Sequence, residues 1–120
     1  MITETKTHRV EPDITVFEIS GRLNLGNLLQ TAESAMRGLI DGGARKLVID
    51  LTGLTAIDSS GIGTLISCAG QMDQMGGQVR LAGAQGSVGK IFETVHMGRI
   101  VPLFADLASA CGSFSNSATA

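Results

Sequence analysis

The side chains best suited to a chemical role lie in one short run, Asp58-Ser59-Ser60-Gly61-Ile62-Gly63. The run stands between a predicted strand and a predicted amphipathic helix, where Asp and Ser commonly cap the helix through their side-chain oxygens. A cap needs only one such residue, yet three polar residues stand together here. Gly61 and Gly63 follow in the first turn, and we expect them to leave the backbone and the two hydroxyls open to approach from outside. An exposed serine at this point also lies where the helix dipole favours added negative charge. The run therefore fits a plain helix cap and, in addition, a phosphate acceptor.

A second run, Gly83–Ile91, has the outline of a phosphate-binding P-loop, because it follows a predicted strand, opens a predicted helix and contains Gly-Lys. The P-loop motif needs a glycine five residues before the Gly-Lys pair, and that position is Ala84. It also needs a Ser or Thr after the lysine to hold magnesium, and that position is Ile91. A glycine-rich turn into a helix is the better interpretation, so a nucleotide hydrolase is the least favoured function.

The remaining reactive side chains do not form a catalytic or metal-binding pattern. His96 cannot complete a Ser-His-Asp site with Asp58 and Ser59, because adjacent residues cannot lie on opposite sides of a histidine. The chain has two cysteines and two histidines without the spacing of a zinc site or a disulfide framework. Cys68 falls close to the apolar side of its predicted helix, so we expect it in or near the core. We predict no catalytic residue and no metal site.

Composition narrows the classes of partner. The formal net charge is −2 and the only aromatic residues are four phenylalanines, so neither a basic face nor stacking rings favour nucleic-acid binding. No apolar run approaches the roughly 18 residues that a membrane span requires, and the first residues lack a secretory signal. A chain of 120 residues has the length of one domain. These features predict a small soluble domain in the cytoplasm.

The segments around the Asp58 run position it. Their apolar residues recur alternately with the spacing of a strand and with the spacing of a helix, in the order β β α β α β α (β) α. This order predicts an α/β domain with one mixed sheet of four or five strands and the long helices packed against it. The helix after Asp58 has an apolar face formed by Ile62, Leu65, Ile66, Ala69 and Met72. Pro102 allows an edge strand at most in its segment.

The sequence predicts a domain over residues 1–112 and a frayed tail over residues 113–120. The tail, SFSNSATA, is small and polar and has no periodicity. Because the tail can bury little apolar area, ending the chain at Gly112 is expected to change the free energy of unfolding by less than about 1 kcal/mol.

Several segments in this order resemble one known family. The run Leu47–Gly63, with its Asp-Ser-Ser-Gly, is similar to the signature of STAS domains, specifically of bacterial anti-sigma factor antagonists. Ser20–Leu23 at the end of the second strand, Gly76-Gly77 before the next strand and Val88–Gly98 match in the same order. The resemblance covers residues 5–111.

The resemblance implies a binding module regulated by exchange of partners, not an enzyme. In such systems the unphosphorylated antagonist binds an anti-sigma factor that is also a serine kinase, and so releases a sigma factor. The kinase phosphorylates the first serine of the motif, here Ser59, and a PPM-type serine phosphatase reverses the reaction. ATP and magnesium belong to the kinase, so the resemblance implies no cofactor for this chain. The implied partner-binding residues are Asn24, Asp58, Ser60, Gly61 and Ile62.

Asn24 departs from the family pattern, in which similar antagonists usually have an Asp. Asn keeps the shape and the capping ability of Asp but removes a charge close to the implied phosphorylation site. The alternative function is therefore a stand-alone STAS subunit of a signalling or lipid-transport assembly without a phosphorylation switch.

Overall fold

The structure, a computed structural model, describes residues 4–10, 12–24 and 27–118. The strands are β1 (Glu4–Val10), β2 (Ile14–Leu23), β3 (Lys46–Asp50), β4 (Leu54–Ile57), β5 (Gln78–Ala82) and β6 (Leu103–Phe104). The helices are α1 (Asn27–Asp41), α2 (Ser59–Gln74), α3 (Gly86–Thr94) and α4 (Leu107–Ala118), and a short 3₁₀ turn covers Met97–Arg99.

The strands form one mixed sheet in the order β1-β2-β3-β5-β6, with β4 paired to the end of β2. The β1–β2 pair is antiparallel and the other pairs are parallel. The predicted α/β class with a mixed sheet and packed helices is therefore confirmed. The described part of the chain has six strands instead of the predicted four or five, and β4 is the strand that the sequence pattern did not predict.

Both faces of the sheet are covered, which explains the long apolar β2. Phe17 and Ile19 point toward one face, where they join the core formed with α1, α2 and α3. Ile14 and Val16 point toward the other face, where they join a smaller core with α4. Successive side chains of a strand alternate between faces, so a strand covered on both sides buries both sets.

The short strand β4 brings the Asp58 run next to the end of β2. The Thr55 hydroxyl donates a hydrogen bond to the Gly21 carbonyl (2.9 Å), and the Gly21 N–H donates to the Gly53 carbonyl (2.9 Å). Leu23 pairs with Ile57 in the parallel register of the two strands. The residues that follow these two positions, Asn24 and Asp58, therefore leave the sheet side by side.

Helix α2 packs through a face rotated slightly from the predicted one. Leu65 and Met72 are fully buried, as predicted, and Cys68 is buried between them. Ile66 and Ala69 are half-buried at the border of the same core. The prediction that Cys68 belongs to the core is confirmed.

The C-terminal helix extends further than the sequence predicts. Helix α4 continues through Ala118 instead of ending at Gly112, and Phe114 is only 2% exposed. The Arg80 guanidinium lies 4.4 Å from the centre of the Phe114 ring, and Arg80 Nε donates a hydrogen bond to Ser113 Oγ (2.7 Å). The single Phe of the polar tail thus packs on the second face of the sheet instead of fraying.

Candidate functional site at the start of helix α2

Asp58 caps helix α2 as the sequence predicts. Its backbone is extended, and its Oδ1 accepts a hydrogen bond from the Gly61 N–H at 3.0 Å. The bond satisfies one of the N–H groups that the first turn of a helix leaves without an intrahelical partner. Asp58 thereby fixes the direction in which Ser59 and Ser60 leave the sheet.

The carbonyl of Leu23 anchors this turn on the end of β2. It accepts a hydrogen bond from the Asp58 N–H (3.4 Å). Gly61 is buried against the same carbonyl, and a Cβ at position 61 would lie 2.7 Å from Ile57 Cγ1 and closer still to the Leu23 oxygen. Position 61 therefore requires glycine because the backbone of the same chain approaches it.

This packing corrects the interpretation of Gly61 as a residue left open to approach from outside. Its neighbour Gly63 is exposed, and a Cβ there would meet nothing within 4 Å. The sequence reasoning also missed Leu23, whose contribution is a backbone oxygen and not a side chain. The glycine in the first turn of a helix was the available signal, since glycine is also used where another part of the backbone approaches closely.

The other predicted site residues lie around this anchored turn. Ser59 is the exposed first residue of α2, and Ser60 is half-buried with its carbonyl accepting a hydrogen bond from Thr64 Oγ1 (3.1 Å). Asn24 is half-buried directly after Leu23. Ile62 is half-buried and packs against the main core. The structure thus brings all of the predicted residues together in one small region.

The electrostatics of the turn favour an added anion. No acidic residue lies in the first turn of α2, so the partial positive charge of the helix N-terminus is offset there only by the Asp58 cap. The exposed Ser59 hydroxyl stands at this end of the helix, where free N–H groups stabilise negative charge. The arrangement suits a phosphate acceptor.

The glycine-rich run Gly83–Ile91 serves the connection between β5 and α3. Gly83 has φ +77° and packs against Thr52, where a Cβ would overlap the Thr52 side chain. Gln85 Nε2 donates to the Thr52 carbonyl (3.0 Å) and Ser87 Oγ donates to the Thr55 carbonyl (3.2 Å). These bonds fix the start of α3 against the β3–β4 connection and β4, so turn geometry accounts for the glycine.

His96 and the two cysteines lie away from the Asp58 run. His96 is exposed after α3 in a left-handed backbone conformation with φ 56°. Burial raises the pKa of the Cys68 thiol to about 11, and the pKa of Cys111 is also raised, first by burial and then by the Asp50 charge. Neither thiol is therefore activated as a nucleophile.

Within residues 4–10, 12–24 and 27–118, no group of three or more His, Cys, Asp or Glu side chains is arranged to hold a metal ion. In the same ranges no helix has the length and apolar character needed to cross a bilayer.

Solved structures with the same fold include anti-sigma factor antagonists. An anti-sigma factor antagonist from Mycobacterium paratuberculosis matches with a TM-score of 0.81 and 17% identity, over 93% of this chain and 93% of that chain. A serine-to-glutamate variant of RsbS from Moorella thermoacetica matches with a TM-score of 0.77 and 21% identity, over 97% and 98% of the two chains. The phosphorylated form of the Bacillus cell fate determinant SpoIIAA gives 0.71 and 18%, over 92% and 99%.

At sequence identities this low, the structural similarity shows that these proteins and the chain share a fold, and it does not by itself show a shared family. The family follows from a direct comparison of sequence, because the STAS domain model matches residues 5–110. The match includes both β2 and the Asp58 run at the start of α2. The chain therefore belongs to the STAS domain family.

Proposed function

We propose that this STAS domain is an anti-sigma factor antagonist that binds an anti-sigma factor/serine kinase and so releases a sigma factor. One observation carries the proposal: Ser59 is the exposed first residue of a helix whose start is capped by Asp58 and anchored on Leu23. Membership of the STAS family and structural similarity to anti-sigma factor antagonists support the same function.

The proposed switch is phosphorylation of Ser59. A phosphate adds about −1.5 to −2 charges and three strong acceptor oxygens at one point of the binding surface. In a close interface this dianion must lose water and face the partner, and opposing a buried charge costs several kcal/mol. Phosphorylation at Ser59 is therefore expected to release the kinase, while Asn24, Ser60 and Ile62 complete the contact surface.

The enzymatic steps of the cycle belong to the partners. The kinase holds ATP and magnesium, and a PPM-type serine phosphatase removes the phosphate, so this chain acts as a binding module without a cofactor. A small domain that exchanges partners with a kinase and a phosphatase operates in the cytoplasm, where ATP is supplied.

Charge variants on the exposed side of α2 test the proposal. Ser59→Asp is expected to bind the cognate kinase at least tenfold more weakly, a loss of about 1.4 kcal/mol. Ser67→Asp adds the same charge two turns later on the helix, and its binding is expected to stay near that of the parent. Titration calorimetry with the purified kinase measures both affinities.

Mass spectrometry after incubation with the kinase and ATP locates the phosphate. Ser59→Ala is expected to bind well and to gain no phosphate, whereas Ser60→Ala remains a substrate. Phosphate on Ser60 would move the acceptor by one residue. Tight binding without phosphate on any variant would overturn the switch.

Asn24 favours the second candidate, a STAS subunit of a signalling or lipid-transport assembly without a switch. The side chain lies beside the start of α2 and carries no charge where the family pattern has an Asp. Asn24→Asp separates the two functions. If it turns a chain that gains no phosphate into a substrate of the kinase, the natural protein has lost the switch and the second candidate holds.

A further inference from the structure

A groove of about 610 Å³ lies at the C-terminal ends of β5 and β6. After β5 the chain passes to α3, which packs on the same face as α1 and α2, whereas after β6 it passes to α4 on the opposite face. Adjacent strands whose connections leave to opposite faces create a crevice, and ligands of open α/β sheets bind in such crevices. The volume also falls within the range of about 300–1,000 Å³ that is usual for small-molecule sites.

The groove combines an apolar wall with a polar rim. Phe104 and Leu103 of β6 form the apolar side together with Phe92 of α3, and Leu103 is 37% exposed there. Gly86, Gly89 and Gly98 also line the groove. Glycine positions let a bound molecule approach the backbone more closely than a side chain would allow.

Charged side chains line the groove as well. Two basic side chains, Lys90 of α3 and Arg99 of the 3₁₀ turn, lie there with one acidic side chain, Glu93. Two residues after α3, His96 has a left-handed backbone and begins the 3₁₀ turn that brings Gly98 and Arg99 to the same groove. The groove therefore has one positive charge in excess on a chain whose net charge is −2.

We propose that this groove binds a small amphipathic monocarboxylate, with its carboxylate at Lys90 and Arg99 and its apolar body on Leu103 and Phe104. A single excess positive charge matches a monoanion and not the several negative charges of a nucleoside triphosphate. The guanidinium of Arg99 suits a carboxylate through paired N–H donors. The apolar wall supplies the burial that small-molecule pockets use for most of their affinity.

The proposal is independent of the function proposed for Ser59. None of the residues that line the groove belongs to the Asp58 run or to Asn24. A failure of carboxylate binding therefore leaves the kinase experiments unaffected, and the reverse also holds.

Titration calorimetry and ligand-observed NMR with sodium octanoate test the proposal on the full chain. Octanoate is expected to bind saturably at one site per chain, and octanol, which has the same chain without the charge, is expected to bind at least tenfold more weakly. Lys90→Gln combined with Arg99→Gln is expected to weaken octanoate binding about tenfold, as expected for two partly exposed ion pairs. Arg37→Gln, which removes an exposed charge on α1, serves as the matched control and is expected to leave binding unchanged.

Gly98→Ala provides a steric test. A Cβ at position 98 would lie 3.7 Å from Leu103 Cδ1, an ordinary contact, so the variant is expected to fold and to narrow the groove. Its unfolding midpoint should stay close to that of the parent while octanoate binding falls. Absence of saturable octanoate binding up to about 10 mM, a Kd worth less than about 3 kcal/mol, would overturn the proposal. Equal binding of octanoate by the double variant would also overturn it. Tighter binding of ATP than of octanoate would reassign the groove to a nucleotide.

Discussion

Gly61 and Gly63 lie two residues apart in the first turn of α2 and have opposite surroundings. A methyl group at position 61 would press on the Leu23 carbonyl and on Ile57, whereas a methyl group at position 63 would meet nothing within 4 Å. We expect Gly61→Ala to destabilise the protein by about 1–3 kcal/mol through overpacking. Gly63→Ala is expected to stabilise it by about 0.5–1 kcal/mol, because alanine favours the helix. Urea unfolding of both variants measures the difference, and equal effects would show that the turn is not anchored on β2.

The buried thiol of Cys68 gives a second prediction for a single residue. With a pKa of about 11, only about one thiol in a thousand is ionised at pH 8, so the folded protein should react slowly with iodoacetamide. In a Cys111→Ser background the labelling of Cys68 should become fast once urea unfolds the chain. Because the folded pKa is raised, the unfolded state loses its proton first, and stability should fall as pH rises from about 9 toward 11. Fast labelling of the folded variant would contradict the burial of Cys68.

Helix α2 is the element whose apolar face supports the site. Leu65 is fully buried in the main core, and Ile66 is only half-buried. Leu65→Ala is expected to cost about 2–5 kcal/mol, the usual range for a core leucine, and Ile66→Ala is expected to cost less. Ser67→Ala, on the exposed side of the same turn, is the control and should stay within about 0.5 kcal/mol of the parent. If Leu65→Ala unfolds at the same urea concentration as the parent, the orientation of α2 is wrong.

Helix α4 carries a prediction opposite to the one that its composition suggests. Phe114 is 2% exposed on the second face of the sheet and lies under the Arg80 guanidinium. Ending the chain at Gly112 is therefore expected to cost about 3–5 kcal/mol, as for removal of a buried Phe. Phe114→Leu in the full chain keeps much of the apolar volume and should cost clearly less. A truncated chain as stable as the parent would mean that α4 does not hold this face.

The elements differ in how far the sequence could predict them. The apolar run of β2 and the helical spacing of α2 were sufficient to predict the type and place of each element, because local periodicity reports secondary structure. They did not predict burial in full, since β2 is covered on both faces and α2 is rotated slightly. Strand β4 was not predicted because Leu54–Ile57 is too short to show a period. The length of α4 was not predicted because the one large apolar residue beyond Gly112, Phe114, packs on Arg80, a partner 34 residues away that no local pattern reveals.

The same distinction applies to the sites. The Asp58 cap could be predicted because Asp caps a helix through its own side chain, directly before a predicted helix. The Leu23 carbonyl could not, since any residue would supply the same backbone oxygen. The groove at β5 and β6 could not either, because Lys90, Arg99 and Leu103 come from three different elements that only the fold brings together.

At the scale of the whole molecule, the proposed switch is expected to change binding without changing shape. Negative charge at Ser59 lies at a helix N-terminus with no acidic residue in its first turn, so the dipole favours it by about 0.3–1 kcal/mol. The core of the sheet and the contacts of α1, α3 and α4 do not involve the exposed Ser59 side chain. Ser59→Asp should therefore fold normally and keep the overall dimensions of the parent, whose Cα radius of gyration is 13.2 Å.

Solution scattering and amide NMR spectra of Ser59→Asp measure these expectations. The radius of gyration should match that of the parent, and shift changes should be confined to residues 21–24 and 57–63 around the anchored turn. Ser67→Asp controls for the added charge and should affect only its own turn of α2. Shift changes that spread to α3 or α4, or a larger radius of gyration, would mean that phosphorylation acts by rearranging the fold. In that case the kinase would be released by a change in the presented surface and not by the charge itself.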